Sequence, residues 1–318
     1  MKKIFHYILL ISLVCLAYGN TLHHSFHFDD ISSILQKPWI RGLDKIPDFI
    51  FSFSQRPLVI LSFNINYAIS GFKEWSYHVF NITFHLLVVV LIYRLGKLIV
   101  SQMSEGTTSL VKVPTQMPLL AASIFAVHPL NTQAVTYISS RSSILATIFY
   151  LVTVILFFEG LYKKVDKETK TNYVFVVGAA ISFGIGFLCK LIVVSLPAIL
   201  FAYHYYFISN HNLKIWLKRQ RKWILGVGGF LVTIFLFKKI YGDGLLRASL
   251  VDVTAWEYFR TQLGVIPLEY FRKMLFPFNL TIDTSFQVVK HWRSLVAIGG
   301  LIILGVFSIV WIKLSQVK

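Results

Sequence analysis

The chain has 318 residues, 56% of them hydrophobic and 16% aromatic, with only 14% charged and a formal net charge of +17. A soluble globular domain carries roughly 25% charged residues, so this chain cannot clothe a water-facing surface, and its mean hydropathy of +0.66 agrees. The surplus apolar surface faces lipid, which excludes an ordinary soluble protein. Most basic residues sit in short loops beside apolar runs, where they set topology and meet anionic headgroups. No DNA- or RNA-binding motif accompanies them, so no nucleic-acid partner is expected. Cys15 and Cys189 lie in or beside apolar runs and read as small apolar residues, not as a disulfide framework.

Lys2 and Lys3 precede the first apolar run, residues 4–18. It has the form of a signal peptide, with Ala17-Tyr18-Gly19 as a tolerable cleavage site. Because the rest of the chain is itself membrane-embedded, a retained helix with cytoplasmic lysines is the preferred reading. Residues 20–75 hold Asp29, Asp30, Lys37, Arg41, Asp44, Lys45, Asp48 and Arg56, and Pro38, Pro47 and Pro57 break them. They read as a first extracytoplasmic loop with short amphipathic helices at the interface, and a loop this long is usually functional.

Apolar runs follow at 77–93, 119–127, 144–158, 173–188, 191–207, 223–237 and 295–312, giving about eight transmembrane helices with the first. Residues 239–290 read as a second large extracytoplasmic segment. Within it, 254–278 carries Glu257, Arg260, Glu269, Arg272 and Lys273, too many charges for a lipid-exposed span. It is expected to be an interfacial or re-entrant helix. The fold class is therefore an all-α, polytopic membrane bundle. No repeat and no linker divides it, so residues 1–318 read as a single domain. The basic connections at 163–167 and 214–222 fall on one side with Lys2, Lys3, Arg94, Lys97, Lys313 and Lys318. The positive-inside tendency makes that side, and both termini, cytoplasmic.

The polar residues of the opposite face are the candidates for chemistry. Asp29 and Asp30 are adjacent carboxylates suited to a divalent cation such as Mg or Mn or to general-base work. The plainer alternative is an N-cap for a short helix starting at Ile31. Arg56 is able to grip a phosphate or to snorkel at the interface. His128, Gln133, Tyr137 and Arg141 follow on a polar return, which either lines a cavity or satisfies its own backbone. Lys190 interrupts an apolar stretch, as a snorkelling residue or as a cavity cation facing an anion. There is no Walker-type glycine loop, no HExxH zinc motif and no Gly-x-Ser-x-Gly elbow.

One ordered set of motifs is more specific. It begins with Phe26-His27-Phe28-Asp29-Asp30 and Arg56-Pro57-Leu58, leading to Phe63-Asn64-Ile65-Asn66-Tyr67-Ala68. Tyr77-His78-Val79-Phe80-Asn81 with His85 comes next. Ala126-Val127-His128-Pro129 then leads through Gln133-Ala134-Val135-Thr136-Tyr137-Ile138 to Arg141. Lys190, Pro197 and Leu275-Phe276-Pro277-Phe278-Asn279-Leu280 to Asp283 complete it. In this order they resemble the transmembrane domain of the TPR-containing O-mannosyltransferase-like family, which has GT-C architecture and many bacterial members.

The resemblance implies a membrane glycosyltransferase that moves a sugar from a polyprenyl-phosphate carrier to an extracytoplasmic protein or glycan, in a bacterial inner membrane. It implies Asp29 or Asp30 as catalytic base or metal ligand, and Arg56, Arg141 and Lys190 as holders of the lipid phosphate. His128, Gln133 and Tyr137 would line the cavity. Two departures stand out. The family often has an acidic residue after the lysine matching Lys190, and glutamate at the position of Gln133; here Leu191 and Gln133 occupy those places. The sequence also stops at Lys318, before any TPR repeats, so another membrane-protein partner is expected in their place. These departures motivate the alternative of a catalytically silent scaffold subunit.

Overall fold

The structure is a computed structural model, and it describes residues 2–42, 56–105, 114–162, 164–165, 168–169, 172–207, 221, 253–281, 287–292 and 294–316. The apolar run expected at 223–237 lies outside the described residues. The described residues are helical almost throughout, as expected, and the chain is a membrane protein. Three helices are long and apolar enough to cross a bilayer, containing Ile4–Thr21, Glu74–Ser101 and Ile138–Gly160. Shorter apolar helices lie at Pro57–Ser70, Met117–Val127, Tyr173–Phe187, Leu191–Phe201 and Leu295–Val310. The sequence reads as one domain; by its contacts the chain forms two compact units, Met1–Leu245 and Leu246–Lys318.

The first unit opens with α1 (Lys2–Tyr18) and a 3₁₀ turn at Gly19–Thr21. In the outer loop the backbone makes a π turn at Ile31–Leu35 and a 3₁₀ turn at Pro38–Ile40. The loop expected at 20–75, with short helices in it, holds α2 at Pro57–Ser70. Pro57 suits a helix start, where its missing N–H removes only an unpaired donor. Val59, Ile60 and Phe63 are buried, and Gly71 stops the helix at φ 62°. Then come α3 (Glu74–Glu105), α4 (Met117–Val127) and the short α5 (Asn131–Thr136). A 3₁₀ turn at Ile138–Ser140 runs straight into α6 (Arg141–Tyr162). A two-residue antiparallel hairpin pairs Lys164 with Thr169. Beyond it are α7 (Tyr173–Phe187), a 3₁₀ turn (Leu191–Ser195) and α8 (Leu196–Phe207).

The 32-residue α3 is the spine. At 1.5 Å per residue it is roughly 48 Å long, well beyond the ~30 Å hydrocarbon layer. A helix turns about 100° per residue, so the adjacent Val88 and Val89 feed different clusters. Val88 joins Phe63, Ile144, Ile148 and Ile155, between α3, α2 and α6. Val89 joins Leu10, Val14, Tyr18, Ala122 and Ala126, between α3, α1 and α4. His85 and Asn81 of α3 face protein: His85 Nε2 lies 3.1 Å from the Ala126 carbonyl, and Asn81 donates to the Val135 carbonyl at 3.1 Å. Arg94 pairs with Glu159 at 2.6 Å, some 18 residues and roughly 27 Å along α6 from its start. That distance is close to one hydrocarbon thickness.

In the second unit Thr254 and Glu257 form a capping box for α9 (Ala255–Val265). A π turn at Ile266–Tyr270 follows, where Pro267 interrupts the α ladder, then α10 (Phe271–Leu275) and α11 (Leu295–Gln316). Helices α9 and α11 touch backbone to backbone. A Cβ on Gly300 would meet the Leu263 carbonyl oxygen, and one on Gly264 would lie 2.6 Å from the Val296 carbonyl oxygen. Glu269 pairs with Lys273 at 2.7 Å and with Arg272 at 3.0 Å.

Candidate functional site

Asp29, Asp30, Arg56 and Lys190 all bond to one short segment, residues 137–143, at the start of α6. The two aspartates separate there into different environments. Asp30 is fully buried. Its Oδ1 accepts the Ser139 N–H at 2.7 Å and the Ser139 hydroxyl at 2.5 Å, and its Oδ2 accepts the His27 N–H at 3.4 Å. Asp29 is exposed. Its backbone N–H donates to the Tyr137 hydroxyl at 3.0 Å. Between His27 and Asp29, Phe28 takes a left-handed backbone, φ 50°. Neither aspartate caps a helix with its side chain: the turn at Ile31 has Asp30 before it with no side-chain cap bond.

Tyr137 is the contact between acid loop and helix. Its ring stacks on His27, with centroids 6.0 Å apart and planes 20° from parallel. Partial burial pushes its phenol above the ordinary tyrosine range. The bond from the Asp29 backbone opposes that shift, and the Asp29 and Asp30 carboxylates reinforce it.

Two cations reach the first turn of α6. Arg56, also left-handed at φ 51°, donates to the Ser142 hydroxyl at 3.1 Å. Pro57 favours extended backbone in the residue before it, so the left-handed Arg56 departs from that preference. Lys190 follows α7 in an extended conformation and donates to the Ser143 hydroxyl at 2.8 Å. Burial lowers the Lys190 pKa, and the nearby Arg56 charge lowers it further. Among the described residues neither cation forms an ion pair with a carboxylate. Both stand at the positive end of a 22-residue helix, where an anion is favoured.

Arg141 departs from its expected role. It is fully buried, and its guanidinium donates to Asn81 Oδ1 at 2.7 Å, Asn66 Oδ1 at 2.5 Å, Ser62 Oγ at 3.1 Å and the Tyr77 carbonyl at 2.9 Å. Phe63 packs against it, 4.5 Å from ring centroid to the guanidinium carbon. So placed, Arg141 holds α2, α3 and α6 together and presents no N–H to a substrate. His128 ends α4, its Nδ1 accepting the Leu130 N–H at 3.3 Å, while Gln133 is exposed on α5.

The donor set does not fit a divalent cation at Asp29 and Asp30. Asp30 Oδ1 already accepts two donors and the residue is fully buried, so a divalent cation would find the Asp29 carboxylate and at most one lone pair of Asp30 Oδ2. Among the described residues no group of three His, Cys, Asp or Glu side chains comes together.

Sequence reasoning missed Ser139, Ser142 and Ser143, and named Asn66 and Asn81 only as motif residues without a role. A signal existed for Asn81: with His78 and His85 it repeats at helical spacing along an otherwise apolar run, so its polar atoms share one face.

No family model and no solved structure matches the chain. Curated proteins do. Mouse protein O-mannosyl-transferase TMTC3 is 32% identical over 156 residues, spanning 45% of this chain and 16% of that protein. The Caenorhabditis elegans protein O-mannosyl-transferase F38B6.6 is 32% identical over 163 residues, 47% of this chain and 22% of its own. Mouse TMTC4 is 31% identical over 140 residues, 43% of this chain and 19% of its own. The chain's relatives are protein O-mannosyl-transferases. The resemblance read in the sequence is thereby met. The matched stretch spans 16% of the length of mouse TMTC3.

Proposed function

We propose that the chain is a membrane glycosyltransferase of GT-C type, with about eight transmembrane helices. It moves mannose from a polyprenyl-phosphate carrier to a hydroxyl of an extracytoplasmic protein, and sits in a bacterial inner membrane with both termini cytoplasmic. The observation that carries this reading is the convergence on residues 137–143. An exposed carboxylate, Asp29, and two cations without carboxylate partners among the described residues, Arg56 and Lys190, are all tied to that one segment. The sugar comes from the names of the relatives.

In this reading the acceptor oxygen attacks the anomeric carbon, and its proton passes to the Asp29 carboxylate. The bond from anomeric carbon to phosphate oxygen breaks, and its electron pair leaves with the polyprenyl phosphate. Arg56, Lys190 and the α6 N-terminus stabilise that growing charge. Asp30, locked by Ser139, fixes the loop that carries Asp29. No step uses a metal ion.

The test is transfer from radiolabelled polyprenyl-phosphate mannose by the chain in nanodiscs. Asp29→Asn is expected to remove transfer while leaving the melting temperature unchanged. Normal transfer by this variant would remove Asp29 from the chemistry. A wild type that never transfers, yet copurifies with a stable partner, favours the scaffold alternative that Leu191 motivates.

A further inference from the structure

Three non-glycine residues among those described have positive φ: Phe28, Arg56 and Asn279. Two of them belong to the site. For a bulky aromatic residue this backbone is an outlier, and such strain persists only where the surroundings enforce it. At Phe28 the usual compensation for an aromatic residue, burial of the ring, is missing, since the residue is 62% exposed. The ring is nonetheless held. Tyr137 meets it edge to face, with centroids 6.5 Å apart and planes at 90°. His27 does the same at 5.8 Å and 79°. Phe28 thus keeps an unfavourable backbone and an open ring, braced by two neighbours, directly before the exposed Asp29.

We propose that Phe28 is a specificity-determining platform, its ring stacking on the C–H face of the pyranose that is transferred. This inference rests on the transferase reading above. A pyranose presents a patch of polarised C–H bonds on one face of its ring, and the electron-rich face of an aromatic ring attracts them. Polar groups beside such an apolar face fix orientation, and here the Asp29 carboxylate and the Tyr137 hydroxyl are adjacent. Stacking sets the anomeric carbon's position relative to Asp29, while Arg56 and Lys190 hold the phosphate. Sugar and phosphate are therefore recognised by separate residues, and separate changes abolish each.

The experiment measures equilibrium binding of two probes, polyprenyl phosphate and polyprenyl-phosphate mannose, to the whole chain in nanodiscs. Phe28→Leu keeps an apolar side chain, so any anchoring in lipid survives. It is expected to weaken the mannosylated lipid roughly three- to tenfold and leave the bare phosphate unaffected. Phe28→Trp is expected to restore the mannosylated lipid. Equal loss for both lipids, or no loss for either, would overturn the platform. So would a Leu variant that weakens only the apparent affinity for an acceptor peptide. A wild type that binds neither lipid overturns the transferase reading itself, and this inference with it.

Discussion

Replacing Arg141 by Met tests whether its guanidinium serves the fold or the substrate. The side chain is fully buried, and four of its N–H groups have protein partners. Methionine keeps an unbranched apolar stem, shorter than arginine's, and donates nothing. Two buried acceptors would lose their donor, Asn81 Oδ1 and Asn66 Oδ1, while the Tyr77 carbonyl keeps its helical partner within α3. At about 1–3 kcal/mol for each unsatisfied group, the loss is on the order of 2–6 kcal/mol. Ser62 keeps its own bond to the Val59 carbonyl at 2.6 Å, so it adds little. Losses above about 4–5 kcal/mol are exceptional for one substitution. A thermal melt in detergent should show a drop of roughly 10 °C or more, with earlier proteolysis. Arg141→Lys should recover only a fraction, because one ammonium cannot span partners on α2 and α3 together. A Met variant that melts like wild type, but no longer binds polyprenyl phosphate, would refute the reasoning and return Arg141 to the cavity.

The two aspartates should separate in the same assay: Asp30→Asn is expected to lower the melting temperature by weakening the Ser139 and His27 bonds, with Ser139→Ala showing a smaller fall. Asp29→Asn should leave it alone. Lys190 gives a pH dependence. Its pKa in the folded chain is lowered by burial and by Arg56, so between that value and the ordinary lysine value the unfolded chain binds more protons. Its contribution to stability therefore rises with pH across that window, while polyprenyl-phosphate binding falls as the ammonium deprotonates. Arg56→Gln removes one of the two causes and should move the alkaline edge of binding to higher pH; an unmoved edge in a fluorescent-lipid titration would uncouple the two cations. In the second unit Gly300→Ala places a methyl against the Leu263 carbonyl, where backbone cannot yield. Cysteine pairs across α9 and α11, crosslinked in membranes, should then report a lost contact.

Much of the bundle was legible because its helices are written as apolar runs. The exception is α2, which the charged flanks and Pro57 disguised as loop; Pro57 in fact opens it. The acid pair, Arg56 and Lys190 were legible as polar residues where lipid-facing sequence would be apolar. Their partition was not. Nothing in adjacent Asp29 and Asp30 says that one is sealed by Ser139 and the other left in solvent, since that depends on a segment 109 residues further along the chain. Arg141 misled for a related reason. A lone arginine at the edge of an apolar run looks like an anion holder until the asparagines of two other helices, 60 and 75 residues away, are seen to face it.

Residues Tyr137, Ser139 and Arg141 alternate along one short stretch, touching in turn the exposed acid's backbone, the buried acid and the asparagines of α2 and α3. This stretch works as a ruler laid between loop and bundle. Shortening or lengthening it by a single residue would shift every mark at once. Related chains should therefore differ there by substitution and not by insertion or deletion, and length changes should gather in connections such as the hairpin after α6. The same spacing makes the stretch a poor place for an epitope tag and a good reference frame for aligning distant sequences.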